Sequence, residues 1–286
     1  MAKKPEKKAP ETTGHSWDGI EEYNNPLPRW WLWTFYVTIV WGILYAIAYP
    51  SFPMIHRSLP GLLGWSSRGD VETDIQAFRE KNAAIESRLA STPVAEIPSD
   101  EALYSYAVNA GAAVFRTNCI QCHGAGAAGA KGYPNLLDDD WLWGGDIESI
   151  AYTIRNGIRS RSDDTRFSEM PAFGDDELLS KEEIKQVVGY VRSLSGLESD
   201  PALIEPGKAL FEDNCSACHG EDGTGDRSQG APNLTDAIWL FGSSVDDVTY
   251  TVTHARNVEM PTWQGRLTDA QIKAVATYVH QLGGGE

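Results

Sequence analysis

The chain has 286 residues, enough for about two domains, and its 42% hydrophobic and 10% aromatic content suits packed cores rather than disorder. Its formal charge of −16 excludes a nucleic-acid binder, which needs a basic patch against the phosphates. Residues 1–29 balance five basic against five acidic side chains, so the whole excess lies beyond them. That acidity either steers a basic soluble partner or only keeps the domains in solution.

Residues 1–16, with Lys3, Lys4, Lys7 and Lys8 among Pro, Glu and Thr, read as a polar, disordered arm. Pro26 and Pro28 then call for an extended entry rather than a helix. From Trp30 to Ile55 there is no charged residue, and Trp30–Tyr49 is long enough to cross a bilayer as a helix. Trp30, Trp31 and Trp33 at one end and Tyr45 and Tyr49 at the other make an aromatic belt, with Pro50 and Pro53 ending the span. Ala46-Ile47-Ala48 resembles a signal-peptide cleavage site. The long segment before it and the bulky tryptophans favour a retained anchor, and so uncharged a run argues against a soluble core helix. The basic residues preceding the span predict a cytoplasmic N-terminus and exported downstream domains. Residues 70–90 have helical periodicity through Val71, Ile75, Phe78, Ile85 and Leu89, and Ser99-Asp100-Glu101 offers an N-cap with acidic residues in the first turn of the next helix.

All four cysteines fall in two boxes, Cys119-Ile-Gln-Cys122-His123 and Cys215-Ser-Ala-Cys218-His219. Cys-x-x-Cys-His is the attachment signature of c-type haem: the thiols add to the two vinyl groups and the His presents an imidazole nitrogen to the iron. A shared zinc site would want four soft ligands in tetrahedral array, and a redox dithiol needs no following His. Two haem c groups, covalently bound through Cys119, Cys122, Cys215 and Cys218, are therefore the expectation. Haem attachment also implies an extracytoplasmic site.

The boxes lie in a duplicated segment with a period of about 96 residues. Gly111 and Phe115 answer Gly207 and Phe211; Pro134-Asn135-Leu136 answers Pro232-Asn233-Leu234. Trp141-Leu142-Trp143-Gly144 answers Trp239-Leu240-Phe241-Gly242, Tyr152-Thr153-Ile154 answers Tyr250-Thr251-Val252, and Glu169-Met170-Pro171 answers Glu259-Met260-Pro261. Each half closes with an amphipathic helix, near 180–195 and 267–282, and a linker at Gly196–Pro206 divides them. Each half resembles a class I cytochrome c domain, which implies an N-terminal helix, the haem box, loops, and a C-terminal helix crossing the first at the Gly.

Beyond the span only two methionines occur, Met170 and Met260, at matching places. They are the candidate sixth iron ligands opposite His123 and His219. His/Met ligation saturates the iron and favours electron transfer over oxygen binding. His254, six residues before Met260 and matched by Asn156, is a rival ligand for the second haem, though better read as a polar or propionate-contacting residue. Sequence leaves open whether each Met serves its own half's haem or the other's.

The N-terminal stretch makes the resemblance specific. His15-x-Trp17-Asp18-Gly19-Ile20-x-Glu22, Asn25-Pro26-Leu27-Pro28, Trp30-Trp31 and Gly61-x-x-Gly64-x-Ser66-Ser67-Arg68 resemble the CcoP/FixP subunit of cbb3-type cytochrome c oxidases. The resemblance covers nearly the whole chain and implies a mostly α fold, with one transmembrane helix followed by two class I cytochrome c domains. The implied division is a cytoplasmic arm at 1–29, the transmembrane helix at 30–55, a juxtamembrane segment and linker helix at 56–98, and haem domains at 99–196 and 197–286. It further implies a single-pass protein of the bacterial inner membrane with periplasmic haem domains. Electrons would come from a soluble or membrane cytochrome c and pass toward a haem–copper catalytic subunit, with a monohaem cytochrome c subunit and membrane lipid as further partners and no nucleic acid. No catalytic residue is expected in this chain, and oxygen reduction would belong to the partner subunit. A free-standing, membrane-tethered dihaem shuttle and an enzyme with an open haem site are the alternatives.

Overall fold

A computed structural model describes residues 11–286. It divides into one unit up to Lys81 and a second from Asn82 to Glu286. The basic residues Lys3, Lys4, Lys7 and Lys8 lie outside the described residues.

In the first unit Thr12–Trp17 (β1) and Ile20–Tyr23 (β2) pair antiparallel, with Thr12 opposite Tyr23 and Trp17 opposite Ile20. The expected disordered arm is therefore a hairpin from residue 12 onward. The reason is Asp18-Gly19, whose φ angles of 51° and 80° give the turn whose twist matches paired strands. Arg29–Ala48 (α1) is long and apolar enough to cross a membrane, and none of its side chains is buried. Aromatic stacking runs along it at four-residue steps, Trp41 on Tyr45 at 5.3 Å and Tyr45 on Tyr49 at 4.7 Å. The helix ends at Ala48 because Pro50 disfavours helical backbone at Tyr49 and has no N–H to give. Residues 49–55, expected within the span, instead begin a non-helical hook. Leu62 and Leu63 donate their N–H groups to the carbonyls of Ile47 and Ala48 at 2.9 and 3.0 Å, satisfying helix-end acceptors that lipid would leave bare. Gly61 is needed there, since a Cβ would collide with the Ala48 carbonyl.

Ser67–Ser91 (α2) follows; from Asn82 onward it belongs to the second unit, where Leu89 is fully buried. Leu89 packs with Ile97, Leu103, Ala107, Ala270 and Ala274. The remaining helices are Glu101–Asn118 (α3), Ile120–His123 (α4), Ile147–Asn156 (α5), Lys181–Leu194 (α6), Pro201–Asn214 (α7), Ser216–His219 (α8), Val245–His254 (α9) and Asp269–His280 (α10). Asp100 caps α3 by accepting the Leu103 N–H, and α6 and α10 open on matching capping boxes, Ser180/Glu183 and Thr268/Gln271.

The closing helices are exchanged between the sequence halves. α10 packs on α3 and α5, while α6 packs on α7 and α9. One core joins Val114, Phe115, Ile150 and Ile154 to Ile272, Val275 and Val279; the other joins Phe173, Ile184 and Val187 to Phe211, Val248 and Val252. The second haem-box group is thus built from one continuous stretch, nested inside a first group drawn from both ends of the segment. Connection length accounts for this. Only six residues lie between Leu194 and Pro201, with Gly196 at φ 74°, so two amphipathic helices joined this tightly become antiparallel neighbours. The expected linker at Gly196–Pro206 is shorter than read: Pro201 opens α7 and Pro206 lies inside it.

Candidate functional site

Each haem box sits at the end of a long helix. α3 ends at Cys119 and α7 at Cys215; each box then makes one short turn, α4 or α8, which stops at a glycine with positive φ, Gly124 (77°) or Gly220 (78°). The two thiols and the imidazole are thereby held on one turn of backbone.

The ring Nδ1 of His123 lies 3.2 Å from the Pro134 carbonyl, and that of His219 lies 3.2 Å from the Pro232 carbonyl. A carbonyl can only accept, so Nδ1 carries the proton and donates it, leaving Nε2 with a free lone pair for a metal. Burial holds both imidazoles below the usual histidine value, against the opposing pull of the prolyl carbonyl, and so keeps them neutral and able to ligate. The repeated Pro-Asn-Leu signature thus supplies the acceptor that orients each His. Burial also pushes the Cys119 and Cys215 thiols up to about 11, with Cys122 and Cys218 adding smaller repulsions.

A cavity of about 600 Å³ opens beside the second box. Met170, Val187, Phe211, Cys218, His219 and Val252 are among its walls. Apolar sides, a cysteine pair, an imidazole with its Nε2 unengaged and a thioether together fit a haem c. Met170 comes from the first sequence half yet packs on the core that contains Phe211 and Cys215. Reciprocally, Met260 packs on the core that contains Phe115, Cys119 and Ile120. Its backbone is zipped to the first half: Ile158 N–H donates to Met260 O at 2.9 Å, and Met260 N–H donates to Ile158 O at 3.0 Å.

His254 pairs its Nδ1 with Asp175 Oδ2 at 2.8 Å and packs on Tyr250, both partners being exposed. It is not among the cavity walls, whereas Met170 is. Its counterpart Asn156 is buried, its backbone carbonyl accepting from Ser160 Oγ at 2.6 Å.

Two features were missed at the level of sequence. One is a pair of arginines, Arg166 and Arg256, each standing over two aromatic rings, Trp143 and Tyr152 or Phe241 and Tyr250. The repeat held the signal, because each arginine lies four residues before its methionine. The other is Arg159, which has no counterpart in the second half of the repeat; its signal was unequal spacing. Met170 follows Tyr152 by 18 residues, but Met260 follows Tyr250 by only 10.

Helical haem-box units behind one apolar helix define the class: a membrane-anchored c-type cytochrome. Residues 9–56 match the family described as the N-terminal domain of cytochrome oxidase-cbb3, FixP; residues 107–191 match cytochrome c oxidase, cbb3-type, subunit III; and residues 204–283 match cytochrome c. The chain is 61% identical over 290 residues to a cbb3-type cytochrome c oxidase subunit CcoP of Cereibacter sphaeroides, with both chains covered completely. It is 52% identical over 297 residues to the CcoP of Rhodobacter capsulatus, again over all of both chains. It is 50% identical over 277 residues to a FixP of Sinorhizobium medicae, covering 96% of this chain and 95% of that one. The chain belongs to the CcoP/FixP family of cbb3-type cytochrome c oxidase subunits, and it serves as an electron-transfer subunit carrying haem c in its cytochrome c domains.

Proposed function

We propose that this chain binds two haem c groups covalently, one through Cys119 and Cys122 and one through Cys215 and Cys218, and ligates each iron with residues from both sequence halves. His123 and Met260 would hold the first; His219 and Met170 would hold the second. The observation that carries this is the packing of each partly buried methionine against the core of the opposite haem box. It supports one answer to the question that sequence left open, in which the matched halves 99–196 and 197–286 are interlocked rather than successive domains. Haem c, when bound, supplies a reversible one-electron couple. The protein's part would be to keep both imidazoles neutral and oriented, to supply one thioether ligand to each iron, and, beside the second box, to exclude water with apolar walls, which would favour a high potential and no open coordination site.

In this reading α1 anchors the chain in the bacterial inner membrane, with the arm at 1–29 cytoplasmic and the haem units periplasmic, as the basic residues before the span favour. Electrons enter from a donor cytochrome c and leave toward a haem–copper catalytic subunit, in a complex that also holds a monohaem cytochrome c subunit. The test is a reduced-minus-oxidised spectrum and haem assay of the tagged full chain purified gently from its native membranes. Two c-type haems per chain, b-type haem from a partner, and cytochrome c-dependent oxygen uptake are expected. Two c-type haems alone, with detergent loss excluded by cross-linking before extraction, would instead support a tethered shuttle.

A further inference from the structure

The two methionines reach the two cores on crossover segments, 166–170 and 256–260, each beginning at an arginine held in one half and ending at a methionine packed in the other. These straps meet at one side chain. Arg159 Nη1 donates to the carbonyl of Ser168 at 2.9 Å, and its Nε and Nη2 donate to the carbonyl of Val258 at 3.0 and 2.7 Å. Ser168 and Val258 are equivalent positions, each two residues before its methionine. A planar guanidinium with a fixed fork of donors is suited to holding two carbonyls at a set separation. An ammonium has no such fork.

The local backbone is built around this contact. Arg159 has φ 51°, a left-handed conformation that strains a residue with a side chain, and it persists because its neighbours determine it. Ile158 pairs with Met260 on one side and forms a bridge with Arg166 on the other, while Arg159 N–H donates to the Arg166 carbonyl at 2.8 Å. Gly157 allows the close approach, since a Cβ there would strike the Met260 carbonyl. Arg159, Ser168, Met170 and Val258 also all line the cavity beside the second haem box. The second half has no counterpart of this loop, so one arginine serves both straps.

We propose that Arg159 is a shared positioning residue that fixes the sulfur of Met170 and the sulfur of Met260 together, so that the two haem irons are coupled through one side chain. The proposal rests on the ligand reading above. It differs from an ordinary structural role in one respect: its loss perturbs both irons at once, in the same direction.

The experiment uses the full chain within its oxidase complex, with Arg159→Gln, Arg159→Lys, Gly157→Ala, Met170→His and Met260→His. The readouts are the sulfur-to-iron charge-transfer band of the oxidised protein, both c-haem midpoint potentials, and amide exchange along the straps. Met170→His and Met260→His must each lower one potential and remove part of the band; if neither does, the ligand reading falls and the proposal with it. Given that result, Arg159→Gln is expected to weaken the band at both haems, lower both potentials, and speed exchange at both straps by about tenfold or more, the scale of losing charge-assisted hydrogen bonds. Gly157→Ala should move one potential only. If Arg159→Gln does not assemble, Arg159→Lys carries the test with the same two-haem pattern in smaller amplitude. A change confined to one haem, or no change at either, overturns the proposal.

Discussion

Gly111 on α3 lies against the backbone carbonyl of Ala274 on α10, so closely that a Cβ would collide with it and with Tyr278 Cβ. Gly207 on α7 meets Gln186 and Tyr190 on α6 in the same way. The adjoining aromatic pairs match as well, Phe115 with Tyr278 at 5.5 Å and Phe211 with Tyr190 at 5.4 Å. Each crossing therefore joins a helix from one sequence half to a helix from the other. Replacing either glycine by alanine pushes apart two backbones that have no room to give. Gly111→Ala and Gly207→Ala are each expected to cost about 1–3 kcal/mol, read as a lower midpoint in thermal or denaturant unfolding. Ala110→Gly, on the same helix, should cost about 1 kcal/mol at most.

Asp140 carries a pH prediction. Burial, with Asp236 and Asp138 nearby, raises its carboxyl from the ordinary 3.8 to about 6. The folded protein therefore takes up a proton between about pH 6 and 4 that the unfolded chain takes up only near 3.8. The sign follows: stability attributable to this group is greatest below that window and falls as pH rises through it. Asp140→Asn should stabilise the protein at pH 8 by about 1 kcal/mol, after discounting for partial exposure. The gain should vanish below about pH 4, which unfolding curves across the pH range would check.

Lys273 on α10 donates to the carbonyls of Ala90 and Thr92 at 2.6 Å each, closing the C-terminal end of α2. Lys273→Met should cost about 1–2 kcal/mol and increase amide exchange in residues 88–97, leaving both haem spectra unchanged. Loss of haem signal in this variant would show that α2 bears on the sites themselves.

Asp18-Gly19 sets the hairpin turn. Gly19→Val places a β-branched side chain at φ 80°, which only glycine accepts without strain. Faster amide exchange across Thr12–Tyr23 in the full chain is the expected outcome, with no change in haem content.

Much of this was legible in the residues. The Cys-x-x-Cys-His boxes, the uncharged Trp30–Tyr49 run and the paired Glu-Met-Pro segments carry their chemistry in short local patterns, which survive any arrangement of the chain around them. The helical core at Trp30–Tyr49 and the periodic helix near 70–90 appear within a few residues of where they were read, although the span drawn to 55 ends at Ala48. What local pattern could not convey was partnership. Two matched halves offer similar packing surfaces, so Gly111 could accept the tyrosine of either closing helix, and composition does not distinguish Tyr190 from Tyr278. The deciding quantity was the six-residue connection after Leu194, obscured because Pro206 reads as a helix breaker although it is accommodated inside α7. The hairpin was likewise overlooked because polar residues around Lys and Pro read as disorder, while Asp18-Gly19 carried the turn.

The exchanged ligation is tested most directly by marking one haem. Cys119→Ala leaves one vinyl of the first-box haem unattached and still conjugated, which shifts its visible band away from that of the second-box haem. Met260→His and Met170→His are then introduced separately into this background and titrated by spectroelectrochemistry. Met260→His should lower the potential of the marked haem and Met170→His that of the unmarked haem. The reverse assignment, with Met170 governing the marked haem, would contradict the interlocked arrangement.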